Sequence, residues 1–444
     1  MRILIIATFF PPQNSIASLR PYSWAKYWAA EGHEVTVLTT KKNAGEVMDI
    51  AFSREGFRIL EVEQPKLMSF VRGQYCQTLR QPQELSKSAH PKKGFRVKSV
   101  LFKALDYLRH RFGIFSSCRF PDFTHLWVKP ACQFIKGLGE KWDLVVSTAG
   151  PYPVHMIAHE LKRTGIAQKW AADYRDLWVQ NHIYKGMFPF TFFEKRLEKR
   201  LLQSADLVTT VSEPLAKTLR LHYPWVPVEV IENGFDSSDL ENLSEDRFFE
   251  QDGKWRLVHT GTIYPGARDP SPLFEAVAEL RDDPLNCHLL DKLEMVFVGR
   301  ALGNLSELVQ RYGVASWVQT GYYSRQDVLR MQKEAHALLL LSDATAQGEG
   351  MFTGKVFEYL FSGTPILAVG MEQKNVAAKL ITESGVGLVV GCEVVKIKKY
   401  LVQSLAEGKK HYVTLAPHIR EGFERKALAQ RFLRFLQTAY APSP

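Results

Sequence analysis

The chain has 444 residues, 45% of them hydrophobic and 23% charged, which excludes a disordered protein and leaves room for two cores. A net charge of +10 favours an acidic partner: a nucleotide phosphate, an anionic membrane surface or nucleic acid. Five scattered cysteines (Cys76, Cys118, Cys132, Cys287, Cys392) without a CxxC pair exclude a recognisable zinc or disulfide framework, and a reducing cytoplasm is expected. Met1–Phe10 is apolar, but Pro11 and Pro12 end it too early for a signal peptide, so it reads as a buried parallel strand. No run of about 18 apolar residues occurs, so no membrane span is expected.

In chain order, the first strand leads to a loop (FFPPQNSIASLR), a helix over Pro21–Gly32 and a strand over His33–Thr40. Further strands are expected from Trp142, Lys169, Ser204 and Val228, the last running into the Asn233-Gly234 turn. A second alternating set starts at Trp255, with strands from Leu293, Trp317, Ala335 and Thr364. Helical patterns over Pro272–Asp283, Arg325–Ala335 and Gly354–Gly363 lie between these strands. The alternation predicts two α/β domains with parallel sheets, divided between Asn233 and Gly253, and a terminal helix over Phe423–Tyr440.

Residues 91–112 break the pattern with seven Lys/Arg and one acid, Asp106. Val97, Leu101, Leu105, Leu108 and Phe112 share one helical face. That face either packs on a core or lies on anionic lipid.

Thr353–Gly370, TGKVFEYLFSGTPILAVG, places Lys355 and Glu358 inside an apolar run. Read as a helix capped by Thr353 and beginning at Gly354, it turns free N–H groups and Lys355 toward an anion. Glu358, three residues on, shares the face of Lys355. Phosphate at the first turn and a sugar diol at Glu358 is one reading; a surface Lys–Glu pair is the other.

The same stretch looks like the nucleotide-sugar signature of glycosyltransferase family 4, retaining enzymes of the GT-B fold. Glu358 matches the second of the family's two glutamates. Gly350 stands at the first, with Glu349 one residue early. FFPPQNSIASLR resembles the family's phosphate loop, with Ser15, Ile16 and Ala17 in place of its glycines. STAGPYPVH and AADYRDLW resemble paired segments of a subgroup, and GTIYPGAR resembles the Gly-rich turn of the second domain, carrying Gly261 and the basic Arg268. FVGR, ending at Arg300, and QTGYYS resemble later strand ends near the base.

The resemblance implies two Rossmann-like domains facing across a cleft: 1–235 for the acceptor, 236–415 for the nucleotide sugar, and 416–444 returning to the first. It implies transfer of a sugar from a nucleoside diphosphate sugar, a co-substrate rather than a resident cofactor, to a glycan or lipid-linked acceptor. Bacterial surface polysaccharide synthesis is the expected setting, in the cytoplasm or peripherally on the inner membrane face through 91–112, without nucleic acid. Donor-binding candidates are Glu358, Lys355, Arg268, Gly354, Thr353, Gly261, Arg300 and Ser15. Lys355 and Arg268 would clamp the pyrophosphate where other transferases use a metal, and no Asp-x-Asp motif occurs.

His155 and Asp173 are the catalytic candidates. His155 is expected in a loop, placing acceptor or donor, or else as a structural histidine. Asp173 is expected at a strand end, orienting the acceptor or else bridging to Arg175. Arg20 is assigned to the phosphate loop or to capping its helix, and Trp24 and Trp28 to the core. Two rival functions are an epimerase of the same shape, which would turn over without an acceptor, and an inactive membrane- or nucleic-acid-binding module.

Overall fold

The structure is a computed structural model. It describes residues 1–13, 15–42, 48, 50, 52–64, 107, 108, 111–115, 118–181, 184–241, 243–263, 268–299, 302–342 and 354–439. The chain divides into two compact units, Met1–Glu232 with Leu428–Pro444, and Asn233–Ala427.

In the first unit, seven parallel strands lie in the order β3-β2-β1-β4-β5-β6-β7. They are β1 (Arg2–Ile6), β2 (Glu34–Thr40), β3 (Phe57–Val62), β4 (Trp142–Thr148), β5 (Ala167–Tyr174), β6 (Leu207–Thr210) and β7 (Val228–Val230). Its helices are α1 (Ile16–Ala30), α2 (Val128–Gly137), α3 (Pro153–Arg163), α4 (Phe190–Leu202) and α5 (Glu213–His222).

The apolar run of β1 is explained by burial on both faces. Ile3 and Ile5 join one core with Trp24, Trp28 and Phe432, whereas Leu4 and Ile6 join another with Trp142 and Trp170. Helix α1 begins at Ile16, a turn earlier than its apolar pattern predicts, and accommodates Pro21. Strand β3 has no counterpart among the predicted strands; its alternating, half-exposed residues carry a weak signal.

The second unit has six parallel strands in the order β10-β9-β8-β11-β12-β13. They are β8 (Trp255–Thr260), β9 (Leu293–Val298), β10 (Val318–Gly321), β11 (Ala337–Leu341), β12 (Ile366–Val369) and β13 (Gly387–Gly391). Its helices are α6 (Ser238–Glu241), α7 (Ser271–Arg281), α8 (Leu305–Tyr312), α9 (Arg325–Glu334), α10 (Gly354–Ser362), α11 (Val376–Glu383), α12 (Val394–Glu407) and α13 (Pro417–Phe423). Leu257, Leu339 and Leu367 face one core and Val258, Leu338 and Ile366 the other. In each sheet the strand order reverses once, beside β1 and beside β8, which is the Rossmann arrangement.

The last helix, α14 (Arg425–Ala439), packs in the first unit from Leu428 onward. Phe432 meets Trp24 and Trp28 edge-on at 5.1 and 5.5 Å, and Trp28 Nε1 donates to the Ala429 carbonyl at 2.9 Å. Trp24 and Trp28 stack at 5.8 Å, four residues apart on one face of α1. They are therefore core residues that anchor the C-terminal helix.

Candidate active site

Strand β8 ends at the reversal of strand order in the second unit, where open α/β sheets leave a crevice. Thr260 closes it, and the next residue, Gly261, turns with φ +108° while its N–H donates to the Val298 carbonyl at 2.5 Å. A β-carbon on Gly261 would overlap Cε and Nζ of Lys355. Glycine is needed here for its backbone angle, and the lysine tip fills the space its missing side chain leaves.

Lys355 is the second residue of α10, so its ammonium adds to the positive end of that helix. Among the described residues it makes no ion pair or hydrogen bond. Burial, reinforced by the nearby Arg268, pushes its pKa down to about 7, against the opposing pull of Glu358. Arg268 itself donates from Nη1 to the Thr262 carbonyl at 3.0 Å.

Glu358 does not pair with Lys355. Its Oε1 accepts from Nη1 of Arg325 at 2.7 Å, and Arg325 Nη2 reaches Asp239 on α6 at 3.1 Å. Burial works against the charge on Arg325, but Glu358 and Asp239 more than offset it and hold its pKa above the ordinary value. Oε2 of Glu358 has a long contact, 3.5 Å, from Nε2 of Gln332, which also donates to Thr260 Oγ1 at 3.1 Å. The hydroxyl of buried Tyr359 accepts from the Thr260 N–H at 2.9 Å, tying the end of β8 to α10. Beneath them His259 donates from Nδ1 to the Leu339 carbonyl at 2.9 Å. Its Nε2 has no partner among the described residues. Burial, then the charges of Lys355 and Arg268, push its pKa far down and keep it neutral.

Gly261, Lys355, Arg268, Gly354 and Glu358 are thus gathered at one end of one sheet. Thr353, Arg300 and Glu349 lie outside the described residues. Arg325 was missed: at the sequence level it is one charge among five on the helix RQDVLRMQKEA, and nothing local marks it as the partner of Glu358.

The remaining candidates belong to the first unit. Ser15 caps α1, its Oγ accepting from the Ala17 N–H at 3.3 Å. His155 is not in a loop but is the third residue of α3, and it is fully buried. It exchanges a hydrogen bond with Ser147 at 2.7 Å through Nδ1 and stacks on Tyr174 at 4.7 Å. Burial pushes its pKa down to about 3, so it is neutral and has no charge to offer a substrate.

Asp173 is also fully buried, and its partner is Arg20, not Arg175. Arg20 forks onto it at 2.7 and 3.1 Å, and Thr148 and Thr209 donate to it at 2.7 and 2.8 Å. Burial raises the carboxyl's pKa, but Arg20 and the two hydroxyls outweigh burial and hold it below the ordinary value. Arg20 further donates to the carbonyls of Ile231 and Glu232, each at 2.8 Å, rather than capping its own helix. Arg175 instead donates to the carbonyls of Ala149 and Gly150 at 2.8 and 2.9 Å.

Compared with known families, residues 18–234 match the model of the glycosyl transferase 4-like domain. That match spans most of the first unit. No curated protein matches the chain by sequence. Among solved structures, a sucrose-phosphate synthase from Thermosynechococcus elongatus superposes with a TM-score of 0.60 at 16% identity, covering 100% of both chains. An α,α-trehalose-phosphate synthase (UDP-forming) from Burkholderia xenovorans, in complex with glucose-6-phosphate, gives 0.58 at 11% identity, covering 98% of this chain and 100% of its own. The catalytic domain of starch synthase IV from Arabidopsis thaliana, bound to ADP and acarbose, gives 0.55 at 12% identity with 99% of each chain covered. At these identities the likeness establishes the fold, which is GT-B, with both Rossmann-like units represented.

Proposed function

We propose that the protein is a retaining glycosyltransferase that moves a hexose from a nucleoside diphosphate sugar to a glycan or lipid-linked acceptor. The observation that carries this reading is the placement of Lys355 over Gly261, next to Arg268 and at the start of α10. A diphosphate there would meet two cations and the first N–H groups of a helix. The phosphate would restore the proton of Lys355, and both cations would stabilise the charge that grows on the leaving diphosphate. Glu358, held by Arg325, would accept hydrogen bonds from the donor's hydroxyls.

The reading needs no resident cofactor, because the donor brings its own leaving group. The first unit would hold the acceptor, and the setting would be bacterial surface polysaccharide synthesis at the inner membrane face. Segment 91–112, mostly outside the described residues, is one candidate membrane contact. Among the described residues no helix is long and apolar enough to cross a membrane.

A thermal-shift screen against UDP, GDP, ADP, CMP and their sugar conjugates, with and without Mg²⁺, tests the reading. One diphosphate should raise the melting temperature, and Lys355→Ala should abolish that rise. Absence of stabilisation by every nucleotide, under both conditions, would remove the donor-site assignment. Product analysis with donor alone then separates transfer from epimerisation.

A further inference from the structure

Helix α4 reads as partly charge-balanced in sequence, FTFFEKRLEKRLL, two glutamates offsetting half of its four cations. The fold removes that balance from the surface. Glu194 and Glu198, one turn apart, are both buried. Glu194 pairs with buried Arg119 at 3.0 Å and accepts from the Phe120 N–H at 2.6 Å and from Trp178 Nε1 at 3.1 Å. Glu198 accepts from the Tyr223 hydroxyl at 2.6 Å.

What remains outside is Lys195, Arg196, Lys199 and Arg200, all exposed, with Phe192 and Phe193 at 53% and 55% exposure. None of the four cations forms an ion pair with a described residue. The patch extends in both directions. Phe188, 84% exposed, and exposed Lys185 precede the helix, and Trp225, 43% exposed, lies under Lys199 at 5.6 Å. On the other side Arg200 borders a groove of about 530 Å³ between α2, α3 and α4, lined also by Lys129 and by Lys136 and Arg163, the last two paired with Glu160 at 2.7 and 2.9 Å.

We infer that this face of α4 is a docking surface for an anionic lipid bilayer. Two facts select a bilayer. The cations are uncompensated at the surface because the helix's own acids are spent internally. Exposed phenylalanines sit among those cations, so the face offers both insertion into the acyl boundary and attraction to anionic headgroups. A soluble polyanion would satisfy the cations but leave the phenylalanines in water. The face is built from residues other than 91–112, and binding to it needs no nucleotide, so the inference holds or fails independently of the donor site.

The test is co-sedimentation of the full chain, without nucleotide, with vesicles of phosphatidylglycerol and phosphatidylcholine, and with phosphatidylcholine alone. Binding should require the anionic lipid and weaken with salt. Lys195→Gln/Arg196→Gln/Lys199→Gln should reduce partitioning about a hundred-fold, since each cation near the surface contributes about five-fold. Phe192→Ser/Phe193→Ser should reduce it about ten-fold. Both variants should keep the parent melting temperature because all five side chains are exposed, and Lys195→Arg/Lys199→Arg should keep full binding. The inference is overturned by parent binding in both loss variants, by no binding of the parent chain, or by capture on heparin without vesicle binding. It is also overturned if binding is lost only when Lys98, Lys103, Arg109 and Arg111 are neutralised.

Discussion

The Lys355 ammonium lies where a side chain on Gly261 would stand, so one residue's missing atoms define the other's position. Gly261→Ala should therefore act twice. The φ of +108° would strain alanine by roughly 1–3 kcal/mol. The new methyl would also push the lysine tip away from the crevice. The expected result is a lower melting temperature together with about ten-fold weaker diphosphate binding by calorimetry. Unchanged diphosphate affinity in a folded Gly261→Ala protein would show that Lys355 does not act from this position.

The depressed pKa of Lys355 makes two signed statements. Between about 7 and its ordinary 10.5, the unfolded chain holds a proton that the folded lysine lacks, so stability rises with pH across that window. Lys355→Met should flatten that rise in urea titrations. In the same window, diphosphate binding should take up a proton, because an adjacent anion favours the ammonium form. Calorimetry in buffers of different ionisation enthalpy reads that uptake directly, and affinity should fall as pH rises above about 7. Buffer-independent heats at pH 8 would argue against a phosphate next to this lysine.

Glu358→Gln and Glu358→Ala should both lower kcat/KM by at least about 100-fold, in the range of losing one transition-state hydrogen-bonding group. Their stabilities should differ. The alanine variant leaves Arg325 with Asp239 alone and should lose about 3 kcal/mol, whereas glutamine retains an acceptor for Arg325. Near-parent turnover by the glutamine variant would remove Glu358 from the donor site.

Asp173 should behave as a structural residue. Asp173→Ala leaves the Arg20 guanidinium buried without a counter-charge, held by the Ile231 and Glu232 carbonyls and the Trp24 ring, and should cost about 3–5 kcal/mol in urea unfolding. Asp173→Leu combined with Arg20→Met should recover part of that loss, since it removes both charges. Because the folded carboxyl titrates below the ordinary 3.8, its contribution is present at neutral pH and is lost as pH falls through that lower value. A stable Asp173→Ala protein without transfer would restore the catalytic reading.

Much of this protein was legible in the chain. Continuous apolar strands such as Ile3–Ile6, alternating with helices, specified two parallel α/β sheets, because only burial on both faces suits such runs. Gly261, Lys355 and Glu358 could be placed at a sheet end because each sits next to a strand or helix boundary with local signals. Long-range pairing was not legible. Arg20 meets Asp173 across 153 residues, and Arg325 meets Glu358 across 33. Sequence proximity suggested Arg175 and Lys355 instead. Burial was equally hidden: the same histidine letter serves for an exposed base and for His155, which the fold strips of water and of its charge. The sequence by itself thus determined the element types, the two sheets and the neighbourhood of the candidate donor site. The partners of its charges, and the inward turning of Glu194 and Glu198 that leaves α4 a basic face, were decided only by tertiary structure, because ion pairing and desolvation depend on distances in space that chain spacing does not encode.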